Sequence, residues 1–212
     1  EYDIPSAEIA AKCKIEGALE LGSGWIVREE TGQMLRRFLD TNNDTKLDQW
    51  SYFKDGIEVY RDVDANFNGK ADQYRWLGTS GTRWGLDKNE DGIIDSWKMI
   101  SPEETTAEVI AALREHDPGR FKRLLLTTSE LASLGAGKSL TTDLASRIKA
   151  AEEGITALAK SQAMVSSDSK WLQFGGTRPG VIPAGADGAT NDLVAYDNAA
   201  AILDANGKHS QV

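Results

Sequence analysis

The stretch Asp64-Ala-Asn66-Phe-Asn68-Gly69-Lys70-Ala-Asp72-Gln-Tyr74-Arg-Trp76 joins an acidic, glycine-bearing loop to a strand of alternating aromatics. The same grammar appears earlier as Asp40-Thr-Asn42-Asn-Asp44-Thr45-Lys46-Leu-Asp48, followed by Trp50 and Tyr52. It appears again as Asp87-Lys-Asn89-Glu-Asp91-Gly92-Ile93-Ile-Asp95, followed by Trp97 and Met99. All three fit D-x-N-x-[DN]-[GT]-x-x-D and recur roughly every two dozen residues, the mark of a tandem repeat. Tight turns stand between them at Lys54-Asp55-Gly56 and Gly78-Thr-Ser-Gly81. Strand, acidic loop, strand and turn in this order predict an antiparallel β-meander.

The loop pattern points to calcium. This hard cation takes six to eight oxygens at roughly 2.3–2.6 Å in flexible geometry. Carboxylate and amide side chains at the first, third and fifth loop positions converge when the chain curls around one point. The seventh position offers a backbone carbonyl (Lys46, Lys70 or Ile93), and the ninth a closing carboxylate (Asp48, Asp72 or Asp95). Glycine at the sixth position supplies the backbone dihedral that the sharp turn demands. The third loop meets every requirement, the second carries Asn68 in place of a carboxylate, and the first has Thr45 where glycine is preferred. Calcium affinity is therefore expected to fall from the third loop to the second to the first. Asx-turns alone could account for one such loop, but three copies in one register crowd like charges that a cation would neutralise.

These are not EF-hands, which need a bidentate glutamate at the twelfth position and flanking helices. Ser51, Arg75 and Lys98 occupy that position, and strands flank the loops. The pattern resembles the strand-borne DxDxDGxxD calcium loops of integrin-type β-propeller blades and of similar bacterial repeats.

Beyond Ser101 the text changes to Ala, Leu, Glu and Lys at helical spacing, dividing the chain into a β-rich part over 1–100 and a second part over 101–212. Ser101-Pro102-Glu103-Glu104 reads as a capping box opening a helix to about Glu115. Asp117-Pro118-Gly119 breaks it, and a short helix through Phe121 and Leu124–Leu126 follows. A longer helix is predicted from about Thr142 to Met164, with Leu144, Ile148, Ile155 and Leu158 on one face. Trp171–Phe174, Leu193–Tyr196 and Ala200–Leu203 read as strands, and Asn206-Gly207 as a hairpin turn into His209–Val212. The fold class is thus α+β, with a terminal β-hairpin, and the chain reads as a truncated piece of a longer protein.

Other chemistries are poorly supported. A net charge of -9 argues against a nucleic-acid partner, and no apolar run reaches the ~20 residues of a membrane helix. Cys13 is the sole cysteine, so no CxxC pair exists here. Gly135-Ala-Gly137-Lys138-Ser139 hints at a P-loop, but Ala132 stands where its first glycine belongs, and the preceding residues read as helix rather than strand. His116 and His209 lack ligand spacing, and His116 suits a helix C-terminus. The tryptophans could form a sugar-binding platform, which would require a contiguous exposed patch; alternating aromatics inside a sheet are the commoner arrangement.

Leu35-Arg-Arg-Phe38, Gly56-Ile-Glu-Val-Tyr-Arg-Asp62, Asn68-Gly-Lys-Ala-Asp-Gln-Tyr-Arg-Trp76, Thr82-Arg-Trp-Gly85, Ser96-Trp-Lys98 and Pro179-Gly-Val-Ile-Pro183 together resemble the N-terminal region of secreted bacterial thioredoxin-like (redoxin) proteins. The resemblance implies a secreted or periplasmic accessory region, with a thioredoxin-like domain downstream holding any CxxC chemistry. Two functions are therefore in view: a non-catalytic, calcium-binding accessory or interaction module, and the N-terminal part of a thiol–disulfide oxidoreductase.

Overall fold

The computed structural model describes residues 2–18, 23–78 and 80–212. The chain divides into two compact units, Glu1–Ser101 and Pro102–Val212. The first holds strands β1 (Lys14–Gly17), β2 (Ser23–Arg28), β3 (Met34–Asp40), β4 (Gln49–Lys54), β5 (Ile57–Val63), β6 (Gln73–Leu77), β7 (Thr82–Leu86) and β8 (Ser96–Ile100). Each pairs antiparallel with its sequence neighbour, giving one eight-stranded sheet in meander order. The predicted turn after β6 is closed by Gly78 N–H donating to Gly81 O at 3.1 Å; Thr79 within it lies outside the described residues.

Within this unit the only helix among the described residues is α1 (Ala7–Ala10), too short to cover a sheet. The strands instead cover themselves with long side chains lying across their neighbours. Cross-strand partners Tyr52, Tyr60 and Trp76 stack on one face, with Tyr2 at one end and Trp97 at the other, ring centroids 4.7–6.3 Å apart. Arg36 lies 4.6 Å over the Tyr2 ring, and Arg83 lies 4.4 Å over Trp76. On the opposite face Glu58 binds Arg61 at 2.7 Å and Arg37 at 3.2 Å, roofing the fully buried Ser51. Burial raises the Glu58 carboxyl, but the Arg61 hydrogen bond and both guanidiniums outweigh it and hold the group below its ordinary value. Arg75 stacks 3.4 Å over Trp84. Such pairs contribute a few tenths to about 1 kcal/mol each, so a sheet with little conventional core gains stability strand by strand. The tryptophans do not form one exposed platform: Trp25 is 56% exposed, while Trp50, Trp76, Trp84 and Trp97 are half-buried.

The second unit packs helices on a small sheet. Helices α2 (Pro102–Glu115), α3 (Pro118–Lys122), α4 (Thr128–Ser133) and α5 (Lys138–Ser161) precede β9 (Lys170–Gly176), β10 (Gly180–Ile182), β11 (Leu193–Ala195), β12 (Ala199–Ala205) and β13 (Lys208–Gln211). The terminal hairpin β12–β13 joins β9 in a three-stranded sheet, while β10 and β11 form a separate pair. Ile110, Leu113, Ile155, Ala159, Val165, Ala201 and Leu203 make the core, and Trp171 Nε1 ties β9 to α2 by donating to Thr106 Oγ1 at 3.0 Å. Asn206 (φ 56°) and Gly207 (φ 79°) form the predicted hairpin turn.

Three predicted features shift. The short third helix ends at Lys122, leaving Leu124–Leu126 outside it. Helix α5 starts at Lys138 rather than near Thr142, because the Asp187 carboxylate accepts from Ser139 N at 2.6 Å and caps the helix from a distant loop. It ends before Met164, where Gln162 turns extended and its side chain accepts from Val165 N at 2.8 Å. Leu158 is 52% exposed; the buried stripe passes instead through Ile155 and Ala159, spaced four apart.

Candidate metal-binding loops

A meander joins alternate strand pairs at the same end, so the three acidic connections β3–β4, β5–β6 and β7–β8 lie side by side. Two strand spacings, about 10 Å, separate each loop from the next. The junctions are locked by backbone: Asp64 N–H donates to Asp48 O at 2.8 Å, and Asp87 N–H to Asp72 O at 2.9 Å. Within each loop the closing aspartate pairs back across its mouth, as Asp48 N to Leu39 O, Asp72 N to Val63 O and Asp95 N to Leu86 O at 2.8–2.9 Å. The closing residue of one loop thus holds the opening residue of the next.

The three loops share one internal geometry. Asp40, Asp64 and Asp87, all at most 3% exposed, each accept two backbone amides. One oxygen takes the fifth-position N–H (Asp44, Asn68, Asp91) at 3.1–3.2 Å. The other takes the sixth-position N–H (Thr45, Gly69, Gly92) at 2.7–2.8 Å. The third-position amide oxygens of Asn42, Asn66 and Asn89 accept the same fifth-position N–H at 2.8–3.1 Å. The fifth-position side chains of Asp44, Asn68 and Asp91 accept from Lys46, Lys70 and Ile93 N–H at 2.8–2.9 Å. The ninth-position carboxylates of Asp48, Asp72 and Asp95 accept the second-position amides of Thr41, Ala65 and Lys88 at 2.7–3.1 Å, stapling each loop's entry. Every side chain named by the repeat therefore hydrogen-bonds within its own loop.

Two backbone positions make this curl possible. The sixth residue is left-handed in all three loops: Thr45 (φ 75°), Gly69 (φ 93°) and Gly92 (φ 86°). The fourth is left-handed too, at Asn43 (φ 62°), Phe67 (φ 62°) and Glu90 (φ 59°). Three chemically unrelated residues at this fourth position gave the sequence no common signal.

Chemically, each loop concentrates carboxylate, amide and carbonyl oxygens, with no nitrogen or sulfur ligand in the pattern. That donor set suits a hard divalent cation and not zinc or copper. Among the described residues no three His, Cys, Asp or Glu side chains form a metal cluster by themselves. The first and third loops each carry three carboxylates (Asp40, Asp44 and Asp48; Asp87, Asp91 and Asp95), and these turn to backbone amides of their own loop.

Sequence reasoning missed Glu90 as a site residue. Its Oε1 accepts from Asn66 Nδ2 at 3.0 Å and from Asn68 Nδ2, and its Oε2 lies 3.8 Å from Lys70 Nζ. Those amides, Asn66 foremost, hold the Glu90 carboxyl below its ordinary value.

The remaining candidates have structural roles. Cys13 Sγ donates to Ile9 O at 3.4 Å and borders an apolar cavity of about 320 Å³ with Ile15, Val27 and Leu35. The P-loop-like glycines end in a helix whose Ser139 amide is already taken by Asp187. His116 is a left-handed residue (φ 54°) following α2, and its Nδ1 lies 2.9 Å from Ala159 O. A carbonyl only accepts, so Nδ1 carries the proton and the ring ties α2 to α5.

Scanned against protein-family models, curated proteins and solved structures, the chain matches none of them. The functional reading rests on the loops.

Proposed function

We propose that the first unit is a non-catalytic calcium-binding module, in which ions neutralise the loop carboxylates and fix the register of the meander. The observation that carries this reading is the repetition of one oxygen-rich loop geometry three times along a single sheet end. The ligands proposed are Asp40, Asn42, Asp44, Lys46 O and Asp48; Asp64, Asn66, Asn68, Lys70 O and Asp72; and Asp87, Asn89, Asp91, Ile93 O and Asp95. Loops of ~10⁻⁴–10⁻³ M affinity fill at the millimolar calcium found outside cells, which fits a secreted or periplasmic setting. Binding then becomes folding energy: at 1 mM calcium a site of 10⁻⁴ M adds about 1.4 kcal/mol. Any catalysis belongs to a partner, for which the sequence resemblance proposes a downstream thioredoxin-like domain; a CxxC pair in the gene beyond Val212 would support that partner.

The test is thermal unfolding in EDTA, then in millimolar calcium, with magnesium as control. The expected result is a calcium-specific rise in Tm, with Asp87→Asn removing more of it than Asp40→Asn. No rise, together with no heat in a calorimetric calcium titration, would overturn the proposal.

A further inference from the structure

We propose that Glu90 couples the second and third loops, so that calcium in one prepares the other; this deepens, and rests on, the calcium reading above. Glu90 belongs to the third loop by sequence, flanked by Asn89 and Asp91, yet its carboxylate reaches Asn66 and Asn68 of the second. A carboxylate only accepts, so both side-chain amides must turn their NH₂ ends toward Glu90. Their carbonyl oxygens are thereby held toward their own loop, where Asn66 Oδ1 accepts Asn68 N–H at 3.1 Å and Asn68 Oδ1 accepts Lys70 N–H at 2.9 Å. These two oxygens are the ones that the second loop offers to a cation. A cation that orders Asn89 and Asp91 fixes the backbone carrying Glu90, and Glu90 in turn orients the neighbouring ligands.

The same contact accounts for the departure of the second loop from its siblings. Asn68 stands where the other loops have Asp44 and Asp91. An aspartate there would set a second carboxylate against Glu90, which is repulsive, whereas the amide makes a charge-assisted hydrogen bond. No such bridge can join the first and second loops, because the residue equivalent to Glu90 in the second loop is Phe67, an exposed apolar ring. The first loop should therefore fill independently.

The experiment is a calcium titration followed by ¹H–¹⁵N spectra of the full chain. The Gly69 and Gly92 amides donate to Asp64 and Asp87 respectively, so each reports its own loop, and Thr45 reports the first. In the wild-type chain Gly69 and Gly92 should titrate together. In Glu90→Gln the Gly69 midpoint should move to ~10-fold higher calcium, inside the 5–150-fold range of typical couplings, and the two curves should separate. Asn68→Asp keeps Glu90 in place and separates the bridge from simple charge. General electrostatics predicts tighter binding for this variant, whereas the bridge predicts weaker binding at Gly69. The double variant Asn68→Asp/Glu90→Gln should then bind more tightly than Asn68→Asp alone. Unchanged midpoints in Glu90→Gln, or tighter binding by Asn68→Asp with Glu90 present, would overturn the coupling and leave the calcium reading standing. A wild-type chain in which no loop resonance responds to calcium would remove both.

Discussion

Replacing Thr45 with glycine should stabilise the first unit, although it deletes a side chain. Thr45 sits at φ 75° because its amide must turn to donate to Asp40 Oδ2 at 2.8 Å. An L-residue in the left-handed region costs roughly 1–2 kcal/mol, and a β-branched one lies at the upper end. Glycine loses more unfolded-chain entropy, which returns about 0.4–1 kcal/mol of that relief. The net gain is about 0.5–1.5 kcal/mol, and 1 kcal/mol moves the Tm of a 60–100-residue domain by roughly 4–8 °C. Thermal unfolding of Thr45→Gly in EDTA, followed by tryptophan fluorescence, should therefore show a rise of roughly 2–12 °C. Metal-free buffer separates this backbone effect from any change in ion binding. Gly92→Ala is the reciprocal control: an added Cβ there meets nothing within 4 Å, so its cost is the left-handed backbone alone. Set against the roughly 0.4–1 kcal/mol that alanine gains through the unfolded chain, it should lose about 0.5–1.5 kcal/mol. A Thr45→Gly chain that melts at or below the wild type, with Gly92→Ala unchanged, would refute the argument that backbone strain separates the loops.

Acid should probe Glu90. Its folded value lies below the ordinary 4.5, so the stability it contributes is present above that value and is lost as pH falls through the lower folded one. Glu90→Gln should accordingly show a smaller drop in Tm below pH 4.5 than the wild type. In the second unit, Arg120 grips the buried Glu108 through Nε and Nη2 at 2.7 and 2.8 Å. Arg120→Met should cost about 3–5 kcal/mol in urea unfolding, and adding Glu108→Gln should recover much of it. Leu203 is fully buried at the centre of the same unit. Leu203→Ala should cost about 2–5 kcal/mol by the same measurement.

The meander was legible because loop and strand recur in one register: Asp, Asn and Gly at fixed offsets, then rings at alternate positions. The placement of the three loops along one end followed from antiparallel connectivity alone. What escaped the sequence acts at a distance or through the backbone. Glu90 and Asn66 lie 24 positions apart, and nothing local to either marks the bond between them. The start of α5 was misplaced for a similar reason, since its cap comes from Asp187, 48 positions away from Ser139. The β10–β11 pair was only half visible: Leu193–Tyr196 reads as a strand, but Gly180-Val-Ile182 sits among prolines that suggested loop. Leu158 failed as a core position because four hydrophobic residues on a helix fit more than one stripe, and packing chose the one ending at Ala159.

The bond from the closing aspartate of one loop to the opening aspartate of the next makes the sheet modular. Each repeat touches its neighbours and little else, so its stability approximates a one-dimensional sum of unit and interface contributions. In such an array a whole period can be removed or duplicated while the surviving joints keep their form. Excising residues 64–86 would bring Val63 directly to Asp87, which already carries the same amide geometry as the Asp64 it replaces. On the calcium reading proposed above, the number of ions would then follow the number of periods the gene encodes, without redesign of any single loop.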